Sequence, residues 1–220
     1  VTEPGRYAVI ATRDRPANLA AVVTALHAQS AHPIVVDNGS TPPAAPPATC
    51  TVIVDGEQPP NLSRLWNLGL GEVAQQAADA GLSAWDVAVV NDDAVLPDGW
   101  FDACATAMRE TGAAAACSDP HGRLTSRLVK TAPDRDVYTR MCGWAFLLRG
   151  ELRQRFDETM RWWWADSSAD FEARGKGGMV IVPGFPVGNL HANSTTVDEL
   201  AAQAARDRIA FEARWGPAPW

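Results

Sequence analysis

The sequence predicts an α/β domain with a mostly parallel central sheet flanked by helices. Two observations carry this. In the first half, short runs of small and β-branched apolar residues, such as Val87-Ala88-Val89-Val90, alternate with segments of helical periodicity. Each principal run also ends abruptly in polar residues: Thr12-Arg13, Asp37-Asn38-Gly39-Ser40 and Asn91-Asp92-Asp93. In an open α/β sheet, ligands bind in the crevice at the carboxyl ends of the strands.

Residues 7–12 (Tyr-Ala-Val-Ile-Ala-Thr) read as a buried first strand followed by the polar loop Arg13-Asp14-Arg15. Pro16 opens a helix where its missing N–H costs nothing, and Leu19, Val22, Val23 and Leu26 mark its apolar face. Residues 33–37 form a second strand ended by a strong turn signal. A β-α-β start implies a right-handed crossover and parallel pairing. The proline-rich stretch 41–49 is a loop, 51–54 a third strand, and 61–80 a loop entering a helix ended by Gly81 at C′. The strand at 87–90 follows, then a helix from Pro97 to about Glu110. Strands are expected at 113–117, 123–131, 143–148 and 179–183, with helices over 166–176 and 196–215. No repeat or linker interrupts the chain, so one domain is expected.

The chain has 220 residues, 46% of them apolar and 20% charged, as in an ordinary soluble globular protein. Its net charge of −7 disfavours nonspecific binding to a phosphate backbone. Cys50, Cys104, Cys117 and Cys142 form no C-x-x-C pair, which argues against zinc or thioredoxin-type chemistry and for reduced core thiols in a cytoplasmic protein. The apolar run 7–11 is too short for a signal peptide or a membrane span.

Asn91-Asp92-Asp93 is the stretch with the most chemistry in it. Adjacent carboxylates at a strand end repel unless a cation holds them, and oxygen ligands suit a hard ion such as Mg²⁺ or Mn²⁺. Through such an ion the chain could grip a diphosphate. A polar turn capping a core strand would leave the same sequence trace. The chain has no G-x-G-x-x-G after the first strand, no G-x-x-x-x-G-K-[ST] and no G-x-S-x-G. Dinucleotide, P-loop and nucleophile-elbow readings are therefore disfavoured.

Five segments taken in order resemble the successive motifs of glycosyltransferase family two. They are 7–13, Val35-Val36-Asp37-Asn38-Gly39-Ser40, Leu65-Trp66-Asn67-Leu68-Gly69, 91–100, and the block holding Phe156-Asp157-Glu158, Trp164-Ala165-Asp166 and Asp170-Phe171-Glu172-Ala173-Arg174. The resemblance implies a GT-A fold, a nucleotide-sugar donor, a divalent metal (Mn²⁺ or Mg²⁺) and inversion at the anomeric carbon. UDP is the commonest nucleotide for it, with dTDP and GDP also found. It divides the domain into a nucleotide-binding half (1–112), a smaller mixed acceptor-side half (113–195) and a C-terminal helix (196–220).

Carried over by residue, the resemblance puts Thr12, Arg13, Asp37, Arg64, Asn67 and Asp92 on the nucleotide. Asp93 and His191 fall on the metal, and Asp166 on the catalytic base. Asn91 stands where the family often has an acid. In the later block the spacing leaves Asp170 as the alternative base, although Asp170 could instead pair with Arg174 at i,i+4. Asp166 could also serve as the cap of its helix. Trp163 and Trp164, within Trp162-Trp163-Trp164, offer aromatic faces to an acceptor sugar. The acceptor itself stays open among glycan, protein, small molecule and modified DNA base. The C-terminal helix suits packing or a homodimer contact. Two rival readings are a non-catalytic nucleotide-sugar-binding protein and a sugar nucleotidyltransferase. The second is disfavoured by the absence of glycine from Thr12-Arg13-Asp14-Arg15-Pro16.

Overall fold

In the computed structural model, which describes residues 3–134, 136–190 and 198–218, strand β1 (Gly5–Thr12) lies between two parallel partners, β2 (His32–Asp37) and β4 (Trp85–Asn91). The register sets Thr12 beside Asp37 and Ala11 beside Asn91, so three apolar strands deliver their polar ends to one edge. β3 (Thr51–Val54) extends this half, parallel to β2. Beyond β4 the sheet becomes mixed. β8 (Ala145–Arg149) runs antiparallel to β4 and to β6 (Ala115–Ser118). β9 (Met179–Val182) is parallel to β6, and β7 (Leu128–Lys130) closes the sheet antiparallel to β9. The eight-stranded order is β3-β2-β1-β4-β8-β6-β9-β7. A separate two-stranded ladder joins β5 (Ala94–Val95) to β10 (Gly188–Asn189). This mixed α/β architecture matches the expected GT-A-like domain.

Burial on both faces explains why the strands read as continuous apolar runs rather than alternating ones. Along β1, Tyr7 and Val9 enter one core, while Ala8 and Ile10 enter the other. Helices α1 (Pro16–Ala28) and α3 (Trp100–Thr111) cover the Ile10 side with Leu19, Val22, Leu26, Trp100 and Phe101. Helices α2 (Leu62–Asp79), α4 (Ala165–Gly175) and α5 (Asp198–Trp215) supply Leu65, Trp66, Leu70, Phe171 and Phe211 to the other side. Pro16 occupies the first turn of α1, and the Asn61 side chain caps α2 by accepting the Arg64 N–H. Gly81 follows α2 with φ +64°, as a C′ residue should.

The expected strand at 123–131 is shorter than its pattern suggested. Only Leu128–Lys130 joins the sheet, because the preceding loop bonds locally: Asp119 accepts the N–H groups of His121 and Leu124. The two-residue strands β5 and β10 are too short to leave a periodic signal. Residues 196 and 197, expected to open the last helix, lie outside the described residues. The apolar anchor of α5 is spent within the chain: Phe211 is fully buried against Trp164 and Phe171. Cys104, Cys117 and Cys142 are buried free thiols, and burial pushes Cys142 up to about 12. No described helix is long and apolar enough to cross a membrane.

Gly69 lets α2 approach β1, since a Cβ there would overlap the Val9 side chain. Both backbones sit in the middle of the layered core and have little room to retreat. We expect Gly69→Ala to destabilise the fold by about 1–2 kcal/mol, because overpacking of about 1–3 kcal/mol outweighs the helix-propensity gain of about 1. Urea denaturation midpoints would report this.

Candidate active site

Asp92 and Asp93 follow the end of β4, and each is only 7% exposed. Two groups from the β1 side face them. The Thr12 hydroxyl donates to Asp92 Oδ2 at 2.8 Å. The Arg15 guanidinium spans the pair, with Nη1 3.1 Å from Asp92 Oδ1 and 3.3 Å from Asp93 Oδ2. Burial raises the Asp92 carboxyl above its ordinary value. Thr12 and Arg15 oppose that rise, and Asp93 adds to it. The sequence reading named Thr12 and Arg13 here and passed over Arg15. Its signal was available: a second arginine just beyond a strand end, opposite an acidic pair.

The nucleotide-side residues fall into two groups. Asp37 and Asn67, both expected on the nucleotide, are anchored to the protein. Asp37 is buried, and its carboxylate accepts the Ser40 hydroxyl and N–H on one oxygen and the Ala44 N–H on the other. Burial alone would raise its pKa, but these bonds prevail and hold it below the usual value. The carboxylate thereby shapes the loop from Asn38 to Ala44. Asn67 bonds the Phe156 carbonyl and N–H and the Glu158 carboxylate, which ties α2 to the acceptor side. Arg13 and Arg64 stand nearer solvent. Arg13 donates to Gln58, and Arg64 pairs with Asp55 at 3.1 Å and Glu57 at 2.8 Å.

Beyond β4, the turn Cys142-Gly143-Trp144 connects the acidic strand end to Asp166. The Asn91 N–H donates to the Trp144 carbonyl at 2.9 Å. Gly143 abuts Asp166 so closely that a Cβ would collide with its Oδ2. Asp166 lies in the first turn of α4 rather than at its cap, which is Trp164. Its Oδ1 accepts the Ser167 N–H at 2.8 Å. Asp170 is in a different situation. It is 1% exposed and takes Arg174 in a two-pronged pair, with both contacts at 2.7 Å, as well as the Met141 N–H. Burial pushes its carboxyl up, and Arg174 pulls against that push. Asp170 is thus built into the core as an ion pair.

The tryptophan run is held from behind by a residue that the sequence reading missed. Asp207 of α5, 0% exposed, accepts the N–H groups of Arg161 at 3.0 Å and of Trp162 and Trp163 at 2.8 Å each. Its signal was an acid one turn before the buried Phe211. The clamp stabilises the adjoining Trp164 backbone at φ +68°, a left-handed conformation costing a bulky residue about 1–2 kcal/mol. Trp163 and Trp164 are half-buried, and Trp164 packs on Phe211 at a centroid distance of 5.1 Å.

His191 lies outside the described residues. The chain leading to it is tied to the acidic end: Asn189 pairs with Ala94, and the Leu190 N–H donates to the Asp93 carbonyl at 2.9 Å. Asp92 and Asp93 suit a hard divalent ion in donor type. The guanidinium held between them shows that the position attracts positive charge. Among the described residues, no group of three His, Cys, Asp or Glu side chains could hold a metal.

No family model and no curated protein matches the chain. Solved structures share its fold. S. aureus TarS superposes with TM-score 0.62 at 11% identity, over 83% of this chain and 36% of that one. S. aureus TarS 1-349 gives 0.59 at 9%, over 96% and 74%. The same fragment in complex with UDP gives 0.63 at 12%, over 93% and 65%. The chain therefore spans little more than a third of the first of these TarS chains.

The two candidate bases should separate in stability. Asp170→Ala removes the two-pronged partner of the buried Arg174, leaves it only the partly exposed Asp134 and backbone carbonyls, and should cost about 3 kcal/mol in urea denaturation. Asp166→Asn removes no such partner and should change stability by less than about 1 kcal/mol.

Proposed function

We propose that the chain is a nucleotide-sugar-dependent, inverting glycosyltransferase with UDP as its nucleotide and Asp166 as its general base. One observation carries this reading. Through the Asn91–Trp144 hydrogen bond and the Gly143–Asp166 contact, the acidic end of β4 and a half-buried carboxylate on the acceptor side border one turn. That arrangement occurs in a fold shared with a structure in complex with UDP. It separates a place for a leaving diphosphate from a place for proton removal, as a single displacement requires.

The acceptor hydroxyl oxygen attacks the anomeric carbon as the bond from that carbon to the diphosphate oxygen breaks. The hydroxyl proton passes to Asp166, and the electron pair leaves with the nucleoside diphosphate. A carboxylate within hydrogen-bond reach is suited to this proton transfer. The Ser167 N–H on Oδ1 orients the carboxylate. One displacement inverts the configuration and needs no covalent intermediate. A Mn²⁺ or Mg²⁺ held by Asp93, with Asp92 beside it and His191 as a further ligand, would supply Lewis-acid stabilisation of the diphosphate charge. Thr12 and Arg13 would border the nucleotide, and Asp37 would support it through the loop that it shapes. Arg64 lies on the same side, and Asn67 acts by fixing α2. Trp163 and Trp164 would stack against the acceptor. The acceptor is a hydroxyl compound whose class, glycan, protein, small molecule or modified base, only a screen can identify.

The test has two parts. With Mn²⁺ present, UDP at 100 times its Kd should stabilise the chain by about 2.7 kcal/mol, read as a shift in thermal unfolding that other nucleoside diphosphates do not match. Asp166→Asn should keep that shift and lose turnover of UDP-sugars by 10²-fold or more, read as UDP release. No shift with any nucleotide would overturn the donor site. A native chain that binds UDP but releases none from any UDP-sugar, even with acceptors supplied, would favour the non-catalytic binding reading.

A further inference from the structure

We infer that Arg15 is a built-in counter-cation that a divalent metal must displace, so that the metal affinity of the native chain is held below what Asp92 and Asp93 alone would give. The inference rests on the metal-dependent reading of the preceding subsection and adds a regulatory element to that site. Three observations carry it. First, Arg15 Nη1 contacts one oxygen of each carboxylate, at 3.1 Å and 3.3 Å, which is the gap a cation shared by the two acids would enter. Second, among the described residues nothing else binds the Arg15 side chain there. Its side chain is 42% exposed on the loop between β1 and α1, and it makes no side-chain capping bond although it is the N-cap residue of α1. Third, the Asp92 carboxylate and the Asp93 backbone each have a partner besides the arginine. Asp92 is held by Thr12, and the Asp93 carbonyl by Leu190.

A guanidinium and a divalent ion cannot occupy that gap together. Both are cationic, and the metal needs the same carboxylate lone pairs at about 2.0–2.2 Å. A long, half-exposed arginine can swing to solvent without disturbing the fold. Binding is then an exchange of one cation for another. The chain keeps its acidic pair neutralised when no metal is present, at the expense of affinity when metal arrives.

The experiment is a Mn²⁺ titration of the full chain without nucleotide, following loss of the free-ion electron paramagnetic resonance signal. Arg15→Gln removes the charge while keeping a polar side chain, and it should bind Mn²⁺ at least tenfold more tightly than the native chain. Arg15→Lys keeps a cation within reach and should stay within threefold of native. Adding Asp93→Asn to Arg15→Gln should abolish the gain. Unfolding midpoints measured without metal confirm that each variant is folded. Equal or weaker Mn²⁺ binding by Arg15→Gln would overturn the inference. So would a gain that survives Asp93→Asn, or absence of Mn²⁺ binding by both native chain and variant. UDP binding, measured separately, reports on the proposed function. UDP binding without an Arg15 effect rejects this inference alone, and an Arg15 effect without UDP binding rejects the donor reading alone.

Discussion

Two like charges at the end of a buried strand are the constraint around which the chain is arranged. Unit charges about 4 Å apart repel by about 4 kcal/mol at an effective dielectric of about 20, a large share of the stability of a single domain. Asp92 and Asp93 therefore need partners, and the nearest available backbone is that of β1. Parallel pairing of β1 with β4 puts Thr12 one residue beyond the partner of Asn91. The loop that follows then carries Arg15 over both carboxylates. The register of the central strands and the neutralisation of the acidic pair are thus one arrangement. A slip of a single residue would flip side chains between the two cores and withdraw Thr12 from Asp92.

The surroundings of Asp166 and the tryptophan run are organised differently. Their residues are not delivered by adjacent parallel strands but drawn together across long stretches of chain. Asn67 of α2 bonds the backbone at Phe156, Asp207 of α5 bonds the backbone at 161–163, and Gly143 abuts Asp166. Two of these contacts, from Asn67 and Asp207, have the same form, a polar side chain satisfying irregular backbone. Such backbone cannot satisfy itself through a helix or strand ladder, and burying it without partners would be costly. The C-terminal helix takes part in this: Asp207 and Phe211 lie one turn apart on its inner face and set the tryptophan run and α4 respectively.

This difference explains what could be read from the sequence. The strand-helix alternation of the first half, its parallel pairing and the gathering of Thr12, Asp37 and Asn91-Asp92-Asp93 at one edge follow from local periodicity and the βαβ rule. The mixed order β4-β8-β6-β9-β7 did not follow, because antiparallel insertion of β8 is decided by packing between distant segments. Arg15 and Asp207 were missed for a related reason. A charged residue in a polar loop, or on a helix otherwise rich in alanine and charge, has no local signature of the partner it will meet. Asp37 shows the opposite case. It stands where a nucleotide ligand was expected, and its carboxylate oxygens also accept from Ser40 and Ala44, partners that a reading of the strand end alone does not reveal.

Asp166 and Asp170 show how environment separates two identical side chains four residues apart on α4. Both are aspartates next to apolar packing, and the i,i+4 spacing of Asp170 to Arg174 is the sequence feature that favours Asp166 as the base. Arg174 reaches back one helical turn and takes both oxygens of Asp170, which is compensated, buried and held by Met141 from outside the helix. Asp166 has no arginine at the corresponding position, since its i+4 neighbour is Asp170 itself. It is also the one that faces glycine. Without a Cβ at 143, its Oδ2 comes down onto the turn that carries the Trp144 carbonyl to Asn91. A carboxylate engaged on both oxygens by a buried arginine is poorly placed to accept a proton, because protonation would break the pair that made its burial tolerable. One that is half-buried, with Ser167 on one oxygen and the other against the turn at Gly143, holds no buried charge partner whose loss would dismantle the fold.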